Sequence, residues 1–194
     1  GLSVAVTYCP LCNSAMVFDR RVDGGILSFG VSGNLRHSDM IMFDRQTESW
    51  WQQFHGRAIV GELLGAELTV IPALLESWQS YTSRNPDGLV MAEPTSHSRN
   101  YGTNPYESYD SGAFSLYNGE PPPHGIDPVE RVVRVGKRAW PLTRLSEAGE
   151  ITEGGVRLSW TKGQASALDT GVIGQGREVG DVRVFDAATG KDVV

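Results

Sequence analysis

Val4-Ala5-Val6-Thr7-Tyr8-Cys9-Pro10-Leu11-Cys12-Asn13-Ser14-Ala15 holds both cysteines of the chain, directly after an apolar run. Val4, Val6 and Tyr8 alternate with Ala5 and Thr7, the period of a buried or half-buried strand. Pro10 has no N–H to give to a ladder, so the strand is expected to stop near Cys9. The two thiols then sit on a short loop at a strand end.

Downstream the pattern repeats as short strands and turns. Met16 to Phe18 is expected as a strand, Asp19 to Gly25 as a turn with Asp23-Gly24 as its hairpin signal, and Ile26 to Ser32 as the next strand. Gly33-Asn34 is expected to turn the chain before the strand Met40 to Phe43. Asp44 to Glu48 is expected as a hairpin loop, with Ser49 to Phe54 pairing back. Gly56, Gly61 and Gly65 predict repeated bends, and Leu68 to Ile71 another strand. Pro72 suits a first helical turn, and Leu74, Leu75, Trp78 and Tyr81 share one face, so the spacing predicts an amphipathic helix over about 73–83. From Glu93 to Pro128 no period survives, and Ser, Asn, Tyr, Gly and Pro dominate. Tyr101, Tyr106, Tyr109 and Tyr117 are the side chains expected to clip this excursion down. Strands resume at Val132 to Val135 and at Ala139 to Leu142.

An internal echo links the two ends. Val156 to Ala167 lines up with the opening stretch, with Thr161 opposite Cys9 and Gln164 opposite Cys12. Phe185-Asp186-Ala187-Ala188-Thr189 lines up with Phe43-Asp44-Arg45-Gln46-Thr47. Two related antiparallel β units are the economical explanation, and only the first carries sulfur. The expected fold class is therefore α+β and β-rich. Its expected divisions are a first β unit over 1–92, the irregular excursion over 93–128 and a shorter β unit over 129–194.

The 194 residues carry a net charge of -6, which argues against a nucleic-acid surface. No apolar run approaches the ~20 residues of a membrane helix. Residue 1 starts directly on a strand, as expected where a leader or domain segment has been removed.

Several strings carry a resemblance: Thr7 to Ala15, Phe29-Gly30-Val31-Ser32-Gly33-Asn34-Leu35, Phe43 to Gln53, Arg99-Asn100-Tyr101-Gly102-Thr103-Asn104-Pro105-Tyr106, and Arg138-Ala139-Trp140-Pro141-Leu142. Together they resemble an uncharacterised microbial family known as domain of unknown function 3179. The resemblance covers most of the chain. It implies an extracytoplasmic, periplasmic or secreted setting and no particular activity. It also implies a polar residue rather than histidine near position 37.

Cys9 and Cys12 admit three chemistries. They can form a redox pair, a metal knuckle completed by ligands from elsewhere, or a structural disulfide or buried pair. For a metal, zinc or copper, the further ligand candidates are His37 and His55. Met40 and Met42 could add soft sulfur, but a strand buried on both faces explains them without a metal. His97 and His124 fall in the irregular stretch, where solvent exposure is expected. Trp50, Trp51, Gln52 and Gln53 form a candidate binding surface, with one tryptophan expected in the core and the other exposed. The carboxylate pairs Asp19/Asp23 and Asp39/Asp44 read as turn formers first. No nucleophile elbow, phosphate loop or dinucleotide fingerprint is present. The leading reading is a non-enzymatic protein whose Cys-x-x-Cys loop binds a metal ion or holds a local disulfide. The alternatives are a thiol-disulfide oxidoreductase using Cys9 and Cys12, and a protein-interaction module using the aromatic-rich excursion.

Overall fold

A computed structural model describes residues 1–96, 99–111, 122 and 125–193. The described chain divides into two compact units, one over Gly1–Leu74 and one formed by the described residues from Leu75 onward. His97, Tyr117 and His124 lie outside the described residues. The fold is α+β and β-rich, as the alternation predicts.

The first unit contains β1 (Val4–Cys9), β2 (Ser14–Asp19), β3 (Arg21–Val22), β4 (Gly25–Ile26), β5 (Phe29–Arg36), β6 (Asp39–Asp44), β7 (Trp50–Gln52), β8 (Arg57–Val60) and β9 (Val70–Ile71). β1 and β2 form an antiparallel hairpin, with Cys9 opposite Ser14, and β9 pairs with the other edge of β2. β5, β6, β7 and β8 form a four-stranded antiparallel sheet in that order. Phe18, Leu27, Met42, Trp51, Ala58 and Leu68 build the core of this unit, with Met16 and Met40 packed against it. Phe29 meets Trp51 edge-on, ring centres 5.8 Å apart, a favoured aromatic geometry.

Several expectations need correction here. Ile26 to Ser32 is not one strand, since β4 ends at Ile26 and β5 starts at Phe29, and the strand expected over Leu68 to Ile71 forms only at Val70–Ile71. Gly33-Asn34 does not turn the chain. β5 runs through it with a register shift between Val31 and Leu35, because Gly33 adopts a positive φ of 80° that absorbs the extra residues as a bulge. The turn comes at His37-Ser38, both left-handed at φ 52° and 60°. The stretch after Gly56 is not only bends, since Arg57–Val60 pairs with β7 as β8.

The second unit contains α1 (Trp78–Arg84), β10 (Val132–Val135), β11 (Arg138–Pro141), α2 (Leu142–Ala148), β12 (Glu150–Glu153), β13 (Val156–Thr161) and β14 (Asp181–Asp186). α1 starts later than the expected 73–83. Ser77 supplies the cap, its side chain accepting from the Ser80 N–H at 3.1 Å, and the helix buries no residue. α2 and β12 are additions to the expected elements. Leu145 anchors α2 in the core, and Gly149 ends it with φ 72°. Trp140, Leu145, Ile151, Val156, Leu158 and Val184 form this unit's core. The described part of the Tyr-rich excursion has neither strand nor α-helix, but it is tied down. Asn104 N–H donates to Gly171 C=O at 2.8 Å and Tyr109 N–H to Leu168 C=O at 3.1 Å.

The echoed turns are alike in bonding. Asp44 Oδ1 accepts from the Gln46 N–H, the Thr47 N–H and the Thr47 hydroxyl. Asp186 Oδ1 accepts from the Ala188 N–H, the Thr189 N–H and the Thr189 hydroxyl. The strand pairings differ. β13 pairs directly with β14, whereas β1 and β6 belong to separate sheets.

Candidate metal centre

Pro10 ends β1 and Asn13, at φ 47°, folds the chain back into β2. This four-residue loop brings Cys12 over Cys9. The left-handed residue is one that Asn adopts at low cost. β6 starts beside the loop, so the Met40 N–H joins those of Leu11 and Cys12 in hydrogen-bonding the Cys9 sulfur. Cys9 is fully buried and Cys12 is exposed, and neither forms a disulfide.

The Cys12 side chain donates to the Cys9 sulfur, which lowers the Cys9 thiol to about 6; burial opposes this shift and the three backbone N–H groups reinforce it. The same hydrogen bond pushes the Cys12 thiol up, and burial adds to the effect. The pair thus favours the thiolate at Cys9 over the thiolate at Cys12.

Asp39 completes the cluster. Its carboxylate is buried, with Oδ1 3.5 Å from Cys12 Sγ and Oδ2 accepting from the Phe54 N–H at 3.0 Å. One ligand atom each from Cys9, Cys12 and Asp39 lies within 4.8 Å of the other two, and no other such group of His, Cys, Asp or Glu occurs among the described residues. The reading of Asp39 as a turn former needs correction. Asp44 forms its turn, while Asp39 faces the sulfurs. Nothing in the local sequence separates the two. The missing signal is three-dimensional, the approach of the start of β6 to the end of β1.

A polar relay supports the loop. Thr7 donates to Met16 C=O at 2.9 Å, so its oxygen is free to accept from Gln53 Nε2 at 2.9 Å. That fixes the Gln53 amide, whose Oε1 takes the Ser14 hydroxyl proton at 2.9 Å. Ser14 Oγ lies 3.1 Å from Cys12 Sγ, within hydrogen-bond reach of it. The sequence marks Gln53 only as part of a candidate binding surface and does not mark Thr7 or Ser14, because their part in this relay depends on contacts between residues far apart in the chain.

His37 and His55 are exposed and stand outside the three-residue cluster. Met42 is buried in the core and Met40 packs against it. Trp50, Trp51, Gln52 and Gln53 do not share one surface. Trp50 is the exposed ring, while Trp51, Gln52 and Gln53 are buried. A register shift falls between Trp50 and Trp51, and the hydrogen bonds of Gln52 with Arg36 hold its amide down on the face it shares with Trp50.

A family model described as "Protein of unknown function (DUF3179)" matches residues 1–194. The chain belongs to this family. No curated protein and no solved structure matches the chain. For this DUF3179 member the cysteine loop, the start of β6 and the relay through Gln53 are the features that chemistry can use.

Proposed function

We propose that this protein binds a thiophilic divalent cation, zinc in the first instance, through Cys9 Sγ, Cys12 Sγ and an Asp39 carboxylate oxygen. The observation that carries the reading is the convergence of these three donors within 4.8 Å. A thiolate is already favoured at Cys9, and thiolate is the form that ligates metal. Two sulfurs and one carboxylate suit zinc, which accepts mixed S and O donors at tetrahedral positions. Copper(I) is less favoured, because Asp39 is a hard donor and both nearby methionines are engaged by the core. Three protein ligands leave a fourth position for water or an exchangeable ligand, on the side where Cys12 meets solvent.

The oxidoreductase alternative fits less well. An attacking thiol needs to be exposed and acidic. Here the acidic sulfur is the buried one, and the exposed sulfur holds its proton. The family resemblance adds an extracytoplasmic location to the proposal, and the matched Asp44 and Asp186 turns support the reading of two related β modules.

The test is calorimetric titration of the reduced protein with zinc. The reading predicts saturation near one equivalent. It also predicts affinity weakened about a hundredfold in Asp39→Asn, as losing one of three ligands demands. Uptake below about a tenth of an equivalent, or unchanged affinity in Asp39→Asn, would overturn it.

A further inference from the structure

The four-stranded sheet carries a second feature, separate from the sulfur cluster. Ile41 and Trp50 alternate with Met42 and Trp51, so they lie on the sheet face away from the core. There they floor a groove of roughly 700 Å³, with Leu35, Val60, Arg36 and Arg57 among its walls. This volume lies within the range of small-molecule sites. Its apolar side chains are open to solvent, Leu35 by 47%, Trp50 by 38% and Val60 by 52%.

The polar end of the groove is built rather than incidental. Gln52 is buried, and its Oε1 accepts from Arg36 Nη1 at 2.8 Å while its Nε2 reaches back to Arg36 C=O at 3.4 Å. Gln52 also pairs with Arg57 across β7 and β8. The two arginines therefore flank one buried amide, and Arg36 is held in place by it. No lining residue is acidic. Arg57 stands 3.8 Å from Glu67, and both side chains are largely exposed, a pair of the kind that contributes little. Two positive charges thus converge at one end of an apolar trough, on a chain whose net charge is -6.

We infer that this groove binds a small amphiphile with one carboxylate, its acid group held by Arg36 and Arg57 and its apolar body laid across Trp50. Charge complementarity selects the acid, since an arginine fork matches a carboxylate and gains from a charge-assisted hydrogen bond. The trough selects the body, through apolar area removed from water. The groove shares no ligand with the sulfur cluster, so this inference stands or falls apart from zinc binding.

The test compares octanoate with octanol, two probes alike in body and different in charge. Calorimetry on the native protein should give octanoate at least about tenfold the affinity of octanol, a margin of ~1.4 kcal/mol. Rising salt should narrow that margin, because the paired charges are near the surface. In Arg36→Gln/Arg57→Gln the preference should vanish while octanol binding persists, which also shows that the variant is folded. In Trp50→Ala both probes should weaken. Equal affinity for the two probes, no binding of either, or a preference that survives the double arginine replacement would each overturn the inference.

Discussion

In the first unit Asp39 opens β6 and Asp44 closes it; in the second, Asp181 opens β14 and Asp186 closes it. The closing turns use the same three hydrogen bonds to one carboxylate oxygen. The opening ends diverge. Asp39 faces Cys12 and takes the Phe54 N–H. Asp181 accepts from the Ser80 hydroxyl, and its carbonyl accepts from Thr161 Oγ1 at 3.3 Å. The start of β6 thus lies beside two sulfurs, whereas the start of β14 makes only oxygen hydrogen bonds of the kind named here. At the positions aligned by the sequence echo, Cys9 stands against Thr161 and Cys12 against Gln164. A difference in pairing accompanies it. Thr161 sits directly opposite Asp181 in a ladder, whereas the Cys9 sulfur meets the backbone at the start of β6.

The largest expected effect removes the sulfur. Cys9→Ser should lower zinc affinity by about a thousandfold or more, ~4 kcal/mol, because it deletes the thiolate that the loop stabilises. The reciprocal change sharpens the comparison. Thr161→Cys/Gln164→Cys should add no second equivalent of zinc, since Asp181 is engaged by Ser80. A second equivalent in a zinc titration would mean that the frame alone is sufficient.

The closing turns differ in burial, and stability should register it. Asp44 is fully buried and also accepts from the Trp51 indole at 2.9 Å. Asp44→Ala strands that indole and the Thr47 N–H, and should cost roughly 2–4 kcal/mol in urea unfolding. Asp186→Ala, at a more exposed turn, should cost distinctly less. Equal losses would break the distinction.

Acid should act on the same pair. Burial pushes the Asp44 carboxyl up, but the hydrogen bonds from Trp51, Thr47 and Gln46 outweigh it and hold the group below the usual carboxylate range. A lowered native pKa gives stability that is complete above the unfolded value of about 4 and is lost as pH falls through the native one. Asp44→Asn should therefore flatten the acid limb of a stability-against-pH curve. A limb as steep as in the native protein would place the titrating group elsewhere.

Much of the frame was legible from the chain. Val4 to Cys9, Asp23-Gly24 and Asp44 to Thr47 follow from alternation and turn chemistry, and they form as the residues predict. Cys9 and Cys12 could be chosen from spacing alone. Asp39 could not, because its partners lie 27 and 15 residues away in sequence. The bulge at Gly33-Asn34 and the turn at His37-Ser38 were not legible either. Gly-Asn is the stronger local turn signal, and tertiary pairing of Leu35 with Met40 overrides it.

The smallest effect concerns that turn. His37 and Ser38 hold positive φ without being glycine, directly before Asp39, whereas the comparable turn at Asp23-Gly24 uses a glycine. Ser38→Gly should raise stability by about 1 kcal/mol in the same urea assay, by relieving a left-handed residue. A loss of stability would show that the Ser38 side chain matters more than its backbone.

The most direct measurement is a cobalt(II) titration of the reduced protein, followed by absorption. Binding through Cys9 and Cys12 predicts thiolate-to-cobalt charge-transfer bands that grow to one equivalent and disappear on zinc addition. Those bands should be absent in Cys9→Ser/Cys12→Ser. Native protein that gives no such bands, or a double variant that keeps them, would contradict a sulfur-held cation at the tip of the first hairpin.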